Sequence, residues 1–224
     1  MDKEKQIIES WIANATNWIE IIDKNGIESR KLVTNKAIVE AVFSSKPASA
    51  LDIGCGEGWL AKELQEKGIE ITGVDVIPEL IEKAKQKVKG NFLVASYEDI
   101  YSNKISLPKP FDAIVINFAL IAKESVENLL AILPRYLTSG GKLFIQTLHP
   151  HSRKTIDDYT TGWKEGSWDG LGEQFTMPYQ WYFRTLEDWI GLLGKSGFKK
   201  IKATDVLHPH TRKPLSVIFE CGVK

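Results

Sequence analysis

The sequence predicts an α/β protein in which a doubly wound, mostly parallel sheet carries helices on both faces. Two observations predict it. Short apolar segments alternate with amphipathic ones through the middle of the chain, and the connections between them are short. A length of 224 residues suits one such domain with additions, and it is long enough to bury a sizeable core.

The first part of the chain is expected to be helical. Residues 4–23 place apolar side chains at helical spacing, and a second helix is expected over residues 29–43. The alternating part follows. Strands are expected at 48–53, 69–74, 92–95, 111–117 and 142–148, with helices at 59–67, 79–88 and 123–137.

The alternation stops between His149 and Arg184. This stretch has no sustained period, yet its many aromatic side chains argue against disorder, so we expect a functional lid. A helix is expected from Thr185, which resembles an N-cap, to Gly197. Strands at 198–206 and 215–221 are then expected to pair in antiparallel fashion at the sheet edge.

Composition excludes several classes. Lys and Arg together number 29, as do Asp and Glu, so no generally basic surface for nucleic acid is indicated. Cys55 and Cys221 form no CxxC pair, which disfavours a disulfide framework or a zinc site. The N-terminus lacks a signal-peptide pattern, and no apolar run is long enough to cross a bilayer. We therefore expect a cytoplasmic protein without a membrane partner.

A glycine-rich turn links the first strand to the next helix. Gly54, Gly56 and Gly58 allow a tight backbone and the close approach of a ligand. A dinucleotide fingerprint would need a third glycine where Trp59 stands, and Asp52 would repel a phosphate. The turn therefore favours a cationic or amino-bearing ligand, although a generic nucleotide turn or a plain tight loop is the alternative.

Asp75 ends the second strand. A carboxylate at that place can accept hydrogen bonds from both hydroxyls of a ribose, whereas the alternative is a cap on the next helix. Together with the glycine turn, the position favours the ribose interpretation.

Four segments carry a family resemblance. They resemble successive motifs of class I S-adenosylmethionine (SAM)-dependent methyltransferases. The segments are residues 51–58 (LDIGCGEG), 73–75 (GVD), 111–115 (FDAIV) and 133–143, which includes LPRYL and GGKL. The similarity spans about residues 48–148. It implies a Rossmann-like sheet of seven strands in the order 3-2-1-4-5-7-6, with strand 7 antiparallel. It also implies SAM as cofactor and S-adenosyl-L-homocysteine (SAH) as product.

The resemblance also implies a division of the chain and a set of cofactor contacts. We expect a helical cap (1–46), a SAM-binding core (47–148), a substrate lid (149–184) and a C-terminal helix with strand pair (185–224). In the family the glycine turn contacts the methionine part, the acidic residue the ribose, and the segment after strand three the adenine. Many relatives have Asp where Ser96 stands. The expected cofactor contacts are Arg30, Asp52, Gly54, Cys55, Gly56, Gly58, Asp75, Val76, Ser96, Tyr97, Glu98, Asn117 and Phe118.

The acceptor is expected beyond the carboxyl ends of the strands, under the lid. Residues 117–120 (NFAL) do not match the Asp/Asn/Ser-Pro-Pro-Tyr motif of amino-group methylation, and no Pro-Cys nucleophile follows strand four. A small-molecule acceptor methylated at O, N, S or C therefore remains. Most lid aromatics, and Trp11 and Trp18, are expected to pack as core. The expected acceptor contacts are Trp168, Tyr179, Tyr182 and Arg184, with a surface salt bridge as the alternative for Arg184.

His149 is the candidate general base, because imidazole titrates near neutral pH. The alternative is a turn histidine fixed before Pro150. A second His-Pro-His segment stands at 208–210, but no carboxylate spacing supports a metal site, so none is predicted.

Three functions remain open. The first is a small-molecule methyltransferase, the second a SAM-binding sensor or partner module without catalysis, and the third a nicotinamide-dependent oxidoreductase. An open, acceptor-sized cavity beside the methyl position of the cofactor would favour the first, and a filled cavity the second. The acceptor atom and the oligomeric state are not encoded in any motif of the sequence.

Overall fold

The computed structural model describes residues 2–108, 110–153 and 159–223; residues 154–158 of the predicted lid lie outside the described residues. The strands are β1 (Ser49–Ile53), β2 (Glu70–Asp75), β3 (Asn91–Val94), β4 (Phe111–Asn117), β5 (Leu137–Leu148), β6 (Gly162–Lys164), β7 (Trp181–Phe183), β8 (Lys199–Leu207) and β9 (Pro214–Gly222). The helices are α1 (Lys3–Ala13), α2 (Ala15–Asp23), α3 (Asn35–Ser44), α4 (Trp59–Gln65), α5 (Pro78–Lys87), α6 (Tyr97–Tyr101), α7 (Glu124–Ile132) and α8 (Leu186–Lys195).

The main sheet has seven strands in the order β3-β2-β1-β4-β5-β9-β8. The first five pair in parallel, and β9 runs antiparallel to both of its neighbours. The predicted strand order is therefore confirmed. Its last two strands carry the numbers β8 and β9 only because the segment before them adds the short pair β6 and β7.

Alternate side chains of the central strands point to opposite faces of the sheet. Leu51 and Ile53 of β1 pack into the cluster that contains α7 and α8, whereas Ala50 packs into the cluster that contains α3 and α4. Both faces are thus covered, which is the arrangement that parallel strands require.

Three predicted helices differ from the prediction. The helix expected over 4–23 is divided at Asn14, whose side-chain amide donates to the Thr176 carbonyl (2.7 Å) and accepts from the Thr176 amide (2.9 Å). The helix expected over 29–43 begins with a π-helical turn, Arg30–Thr34, before α3. The helix expected over 123–137 stops being α-helical at Ile132, because Pro134 in the following turn lacks an amide proton.

The described part of residues 149–184 is ordered by pairing and packing. β6 and β7 form an antiparallel ribbon, and the Tyr182 amide donates to the Ile121 carbonyl (2.8 Å). Trp168, Phe175 and Tyr179 are buried against the core. Within the described ranges, no helix has the length and apolar character needed to span a membrane.

Candidate cofactor and acceptor site

The glycine turn between β1 and α4 is left-handed at three places. Gly54, Gly56 and Gly58 have φ of +70°, +56° and +85°, which side-chain-bearing residues rarely adopt. Space is also restricted: a Cβ on Gly54 would lie 2.4 Å from Ala119 Cβ, and one on Gly58 would lie 2.9 Å from Ala84 Cβ. Gly54 and Gly58 are therefore required by contact as well as by conformation.

Asp75 joins this turn to the start of α5. One carboxylate oxygen accepts from the Gly56 amide (2.9 Å) and the other from the Ile77 amide (2.9 Å). The contact with the Ile77 amide forms a turn in front of α5, and no side chain caps the first turn of that helix, so the capping alternative is not seen. Each oxygen keeps a further lone pair, so the ribose role stays a prediction that this geometry permits.

The carboxyl groups of Asp52, Glu57 and Asp75 lie together behind the glycine turn. Burial, reinforced by the charges of Asp75 and Glu57, raises the pKa of Asp52 to about 8. Burial likewise raises the pKa of Asp75 to about 6, although the hydrogen bonds from the Ile77 and Gly56 amides lower it. Asp52 Oδ2 and Glu57 Oε1 are buried, and neither has a hydrogen-bond partner among the described residues. This cluster would be stabilised by a cationic ligand.

Glu57 was not predicted as a site residue. Its side chain is 1% exposed, and Oε1 lies 3.6 Å from the Lys87 ammonium. The available signal was its position inside the turn itself, between Gly56 and Gly58, where a charged side chain has little room to reach solvent.

Arg30 is the only positively charged residue among the predicted cofactor contacts. Its guanidinium carbon lies 4.8 Å from the ring centre of Trp59 and 5.7 Å from that of Trp18, and Nε donates to Asn35 Oδ1 (3.1 Å). Nη2 is buried without a partner in the described part of the chain. Burial lowers the pKa of Arg30 to about 10, so the side chain stays charged at neutral pH. It therefore offers an unused donor for a carboxylate.

The Ser96 hydroxyl is already used within the protein. It accepts from the Asp99 amide (3.1 Å) and donates to the Asp99 carboxylate (2.7 Å), forming a capping box at the start of α6. The predicted hydroxyl contact with adenine would compete with this cap. Glu98, next along, is exposed and pairs with Lys104 (2.7 Å).

Tyr97 ties α6 to the end of β4. Its hydroxyl donates to the Ala119 carbonyl (2.9 Å), and burial raises its pKa above the ordinary value. Phe118 adopts φ of +54°, which turns the chain sharply after β4. Asn117 Oδ1 is buried without a partner among the described residues, so the end of β4 presents an unused acceptor.

One continuous cavity of about 930 Å³ connects these groups with the predicted lid. Of the predicted site residues, Asp52 and Gly58 lie behind its wall. Those on its wall are Arg30, Gly54, Cys55, Gly56, Asp75, Val76, Ser96, Tyr97, Glu98, Asn117, Phe118, His149, Trp168, Tyr179, Tyr182 and Arg184. Volumes of roughly 300–1,000 Å³ are typical of small-molecule sites. The cavity thus has the size of a site and contacts nearly all the predicted residues.

Hydrogen bonds connect the predicted lid (149–184) to α1. Trp11 Nε1 donates to the Tyr179 hydroxyl oxygen (3.1 Å), Trp168 Nε1 donates to Ser10 Oγ (2.9 Å), and Ser10 Oγ donates to the Met177 carbonyl (2.5 Å). Trp11, expected only to pack, therefore also orders the cavity wall. No local pattern reveals such contacts, because the partners lie about 160 residues apart in the chain.

His149 is buried with both ring nitrogens engaged. Nδ1 accepts from the His151 amide (3.1 Å), so Nε2 carries the proton and lies 3.1 Å from Asp205 Oδ1. In this arrangement neither nitrogen has a lone pair for an acceptor proton. The geometry matches the turn-histidine alternative, and the general-base role stays a prediction without geometric support.

Arg184 is neither a surface salt bridge nor an unused anion site. It is 4% exposed, and its guanidinium donates to the carbonyls of Ala122 (3.0 Å) and Lys123 (3.1 Å). A third contact reaches Glu127 (3.5 Å). The side chain holds the loop between β4 and α7, so the surface salt bridge is not what the structure has, and the predicted acceptor contact stays a prediction without geometric support.

The second His-Pro-His segment repeats the first turn. His208 Nδ1 accepts from the His210 amide (3.2 Å), as His149 does from the His151 amide. The repeat is thus explained by turn formation. Among the described residues, no group of three or more His, Cys, Asp or Glu side chains could hold a metal ion.

Comparison with known proteins extends this picture. An ubiquinone biosynthesis O-methyltransferase of Xylella fastidiosa (strain M23) is 30% identical over 107 residues, 46% of this chain and 42% of the relative. The match thus spans less than half the length of that relative. The plantazolicin methyltransferase BamL, in complex with a triazolic desmethylPZN analog and SAH, has a TM-score of 0.68 at 17% identity, covering 99% of this chain and 97% of that one.

A second solved structure gives the same fold. The 1,6-didemethyltoxoflavin-N1-methyltransferase of Burkholderia thailandensis has a TM-score of 0.64 at 15% identity, covering 93% of this chain and 86% of that one. A family model described as a methyltransferase domain matches residues 29–203, more than half of the chain. The chain therefore belongs to the methyltransferase domain family and has the class I SAM-dependent methyltransferase fold.

Proposed function

We propose that this protein is a SAM-dependent methyltransferase that methylates a small-molecule acceptor. The observation that carries the proposal is the continuous cavity of about 930 Å³, which reaches from the glycine turn to the aromatic segment. A volume near the upper end for small-molecule sites leaves room for an acceptor beside the cofactor. The SAM-binding sensor without catalysis needs no such room. The nicotinamide alternative is disfavoured, because Trp59 starts α4 where a dinucleotide turn needs glycine.

The unused polar groups suit the cofactor. Arg30 Nη2 would bind the carboxylate of the methionine part, and the buried Glu57 carboxylate on the cavity wall would favour its ammonium and sulfonium charges. Asp75 would accept from the ribose hydroxyls while keeping its two amide bonds. The segment from Ser96 would contact the adenine. When bound, SAM supplies an electrophilic methyl carbon, which an acceptor lone pair attacks in line as the carbon–sulfur bond breaks.

The contribution of the chain would be binding and orientation. The lid segment and α1 would exclude water and hold the acceptor near the methyl carbon, and such positioning supplies much of the rate of a bimolecular step. Because both nitrogens of His149 are engaged, the acceptor would attack with a lone pair it already exposes, or release its proton to solvent. Asn117 Oδ1 would be available to orient an N–H or O–H group.

Calorimetry tests the cofactor claim. We expect SAM and SAH to bind with micromolar dissociation constants, and NADH not to bind. Asp75→Ala should weaken SAH binding at least tenfold, whereas Asp169→Ala, on the cavity rim, should leave it unchanged. Failure of both SAM and SAH to bind would contradict the proposal. SAM binding without any SAH formation during incubation with fractionated metabolite extracts would instead favour the sensor.

A further inference from the structure

We infer that the acceptor is an uncharged, flat, largely apolar molecule with a hydrogen-bond-accepting oxygen or nitrogen, to which the Tyr179 hydroxyl donates. This inference rests on the proposed function, because it describes what occupies the lid end of the same cavity. It goes further by naming the chemical class of the acceptor and a residue that orients it.

The lid end of the cavity has aromatic walls. The ring centre of Trp168 lies 4.9 Å from that of Trp11 and 5.4 Å from that of Tyr179, with interplanar angles of 62° and 90°. Leu120 and Ile121, from the loop after β4, line the same cavity. Edge-to-face rings and aliphatic side chains make an apolar surface that favours a flat apolar partner.

The polar atoms of these rings are used, with one exception. The indole N–H of Trp168 is bonded to Ser10, and the indole N–H of Trp11 is bonded to the Tyr179 oxygen. A tyrosine hydroxyl both accepts and donates, so its own proton remains to be donated. The described residues provide no acceptor for that proton. Burial raises the pKa of Tyr179, which keeps the proton in place at neutral pH.

The charged groups of this end do not favour an anion. Arg184 is bonded to the Ala122 and Lys123 carbonyls and lies 3.5 Å from Glu127, so its charge is already balanced. Lys5, also on the cavity wall, has a side chain that is 73% exposed. A carboxylate or phosphate entering between the rings would lose its water without gaining a buried cationic partner. A neutral acceptor with one accepting atom fits both the apolar wall and the unused phenol proton.

Three probes of one shape test the inference. Tryptophan-labelled protein saturated with SAH is titrated with 2-acetylnaphthalene, 2-ethylnaphthalene and 2-naphthoate, and binding is followed by the indole N–H resonances. We expect the ketone to bind about 3- to 10-fold more tightly than the hydrocarbon, the effect of one net hydrogen bond. We expect the carboxylate to bind at least tenfold more weakly than the ketone.

Variants assign the effect to one hydroxyl. Tyr179→Phe should bring the ketone and the hydrocarbon within about twofold of each other. Tyr136→Phe, which removes a buried phenol outside the cavity, should keep the wild-type ranking. A ketone preference that survives Tyr179→Phe would overturn the role of Tyr179. Tightest binding of 2-naphthoate by the wild type would overturn the acceptor class, even if Tyr179→Phe does not fold. Failure of SAH itself to bind would overturn the proposed function instead.

Discussion

Replacing Gly54 by alanine separates the two reasons for glycine in the cofactor turn. Alanine at φ of +70° costs about 1–2 kcal/mol, because its Cβ crowds the backbone in the left-handed region. The new Cβ would also lie 2.4 Å from Ala119 Cβ, more than 1 Å inside the usual contact distance of about 3.5–4.0 Å. Relief of that overlap costs about 1–3 kcal/mol, so the total loss of unfolding free energy is about 2–5 kcal/mol.

The chain offers a matched control. Gly68 has φ of +84°, and nothing lies within 4 Å of the place its Cβ would take. Gly68→Ala should therefore lose only the conformational part, about 1–2 kcal/mol. Urea unfolding followed by tryptophan fluorescence measures both variants. Because relief of the overlap displaces Ala119, whose carbonyl binds the Tyr97 hydroxyl, Gly54→Ala should also weaken SAH binding. Equal destabilisation of the two variants would refute the contact argument.

Three further predictions concern Asp52, Glu4 and His149. Asp52 has its pKa raised from 3.8 to about 8 in the folded state, so the folded protein holds a proton that the unfolded chain releases. Unfolding free energy should therefore fall as pH rises from about 4 to about 8, and Asp52→Asn should flatten that fall in urea titrations; an unchanged slope would contradict the burial argument. The Glu4 carboxylate accepts from the backbone amides of Lys123 (2.9 Å), Glu124 (2.6 Å) and Ser125 (3.2 Å) at the start of α7. Glu4→Gln should therefore lower the unfolding free energy by about 0.3–1 kcal/mol, and the control Glu9→Gln should lower it less. Equal losses in the two variants would contradict this role of Glu4. His149→Asn places an acceptor where Nδ1 stands and should keep turnover within about tenfold, whereas a general base predicts a loss of about 100-fold or more.

The sequence is informative where order is local. The glycine turn, the alternation of segments and the cap at Thr185 all depend on residues within a few positions of one another, and each appears as predicted. Strand order followed from the family resemblance, and the structure confirms it.

The differences arise where distant parts of the chain meet. At the break between α1 and α2, the Asn14 side chain bonds to Thr176, 162 residues away, and no local pattern predicts that contact. Arg184 and His149 have the residue types of a site, and only their hydrogen-bond partners, which are distant in the chain, show that they hold loops in place. Glu57 was not predicted because the turn was interpreted through its glycines, which allow a ligand to approach the backbone closely.

A crystal structure of the protein with SAH tests the central claim most directly. We expect the homocysteine carboxylate at Arg30, the amino group beside the glycine turn, and both ribose hydroxyls at Asp75. We also expect space between the sulfur atom and Tyr179. SAH bound elsewhere, or with its ribose away from Asp75, would contradict the proposed cofactor site.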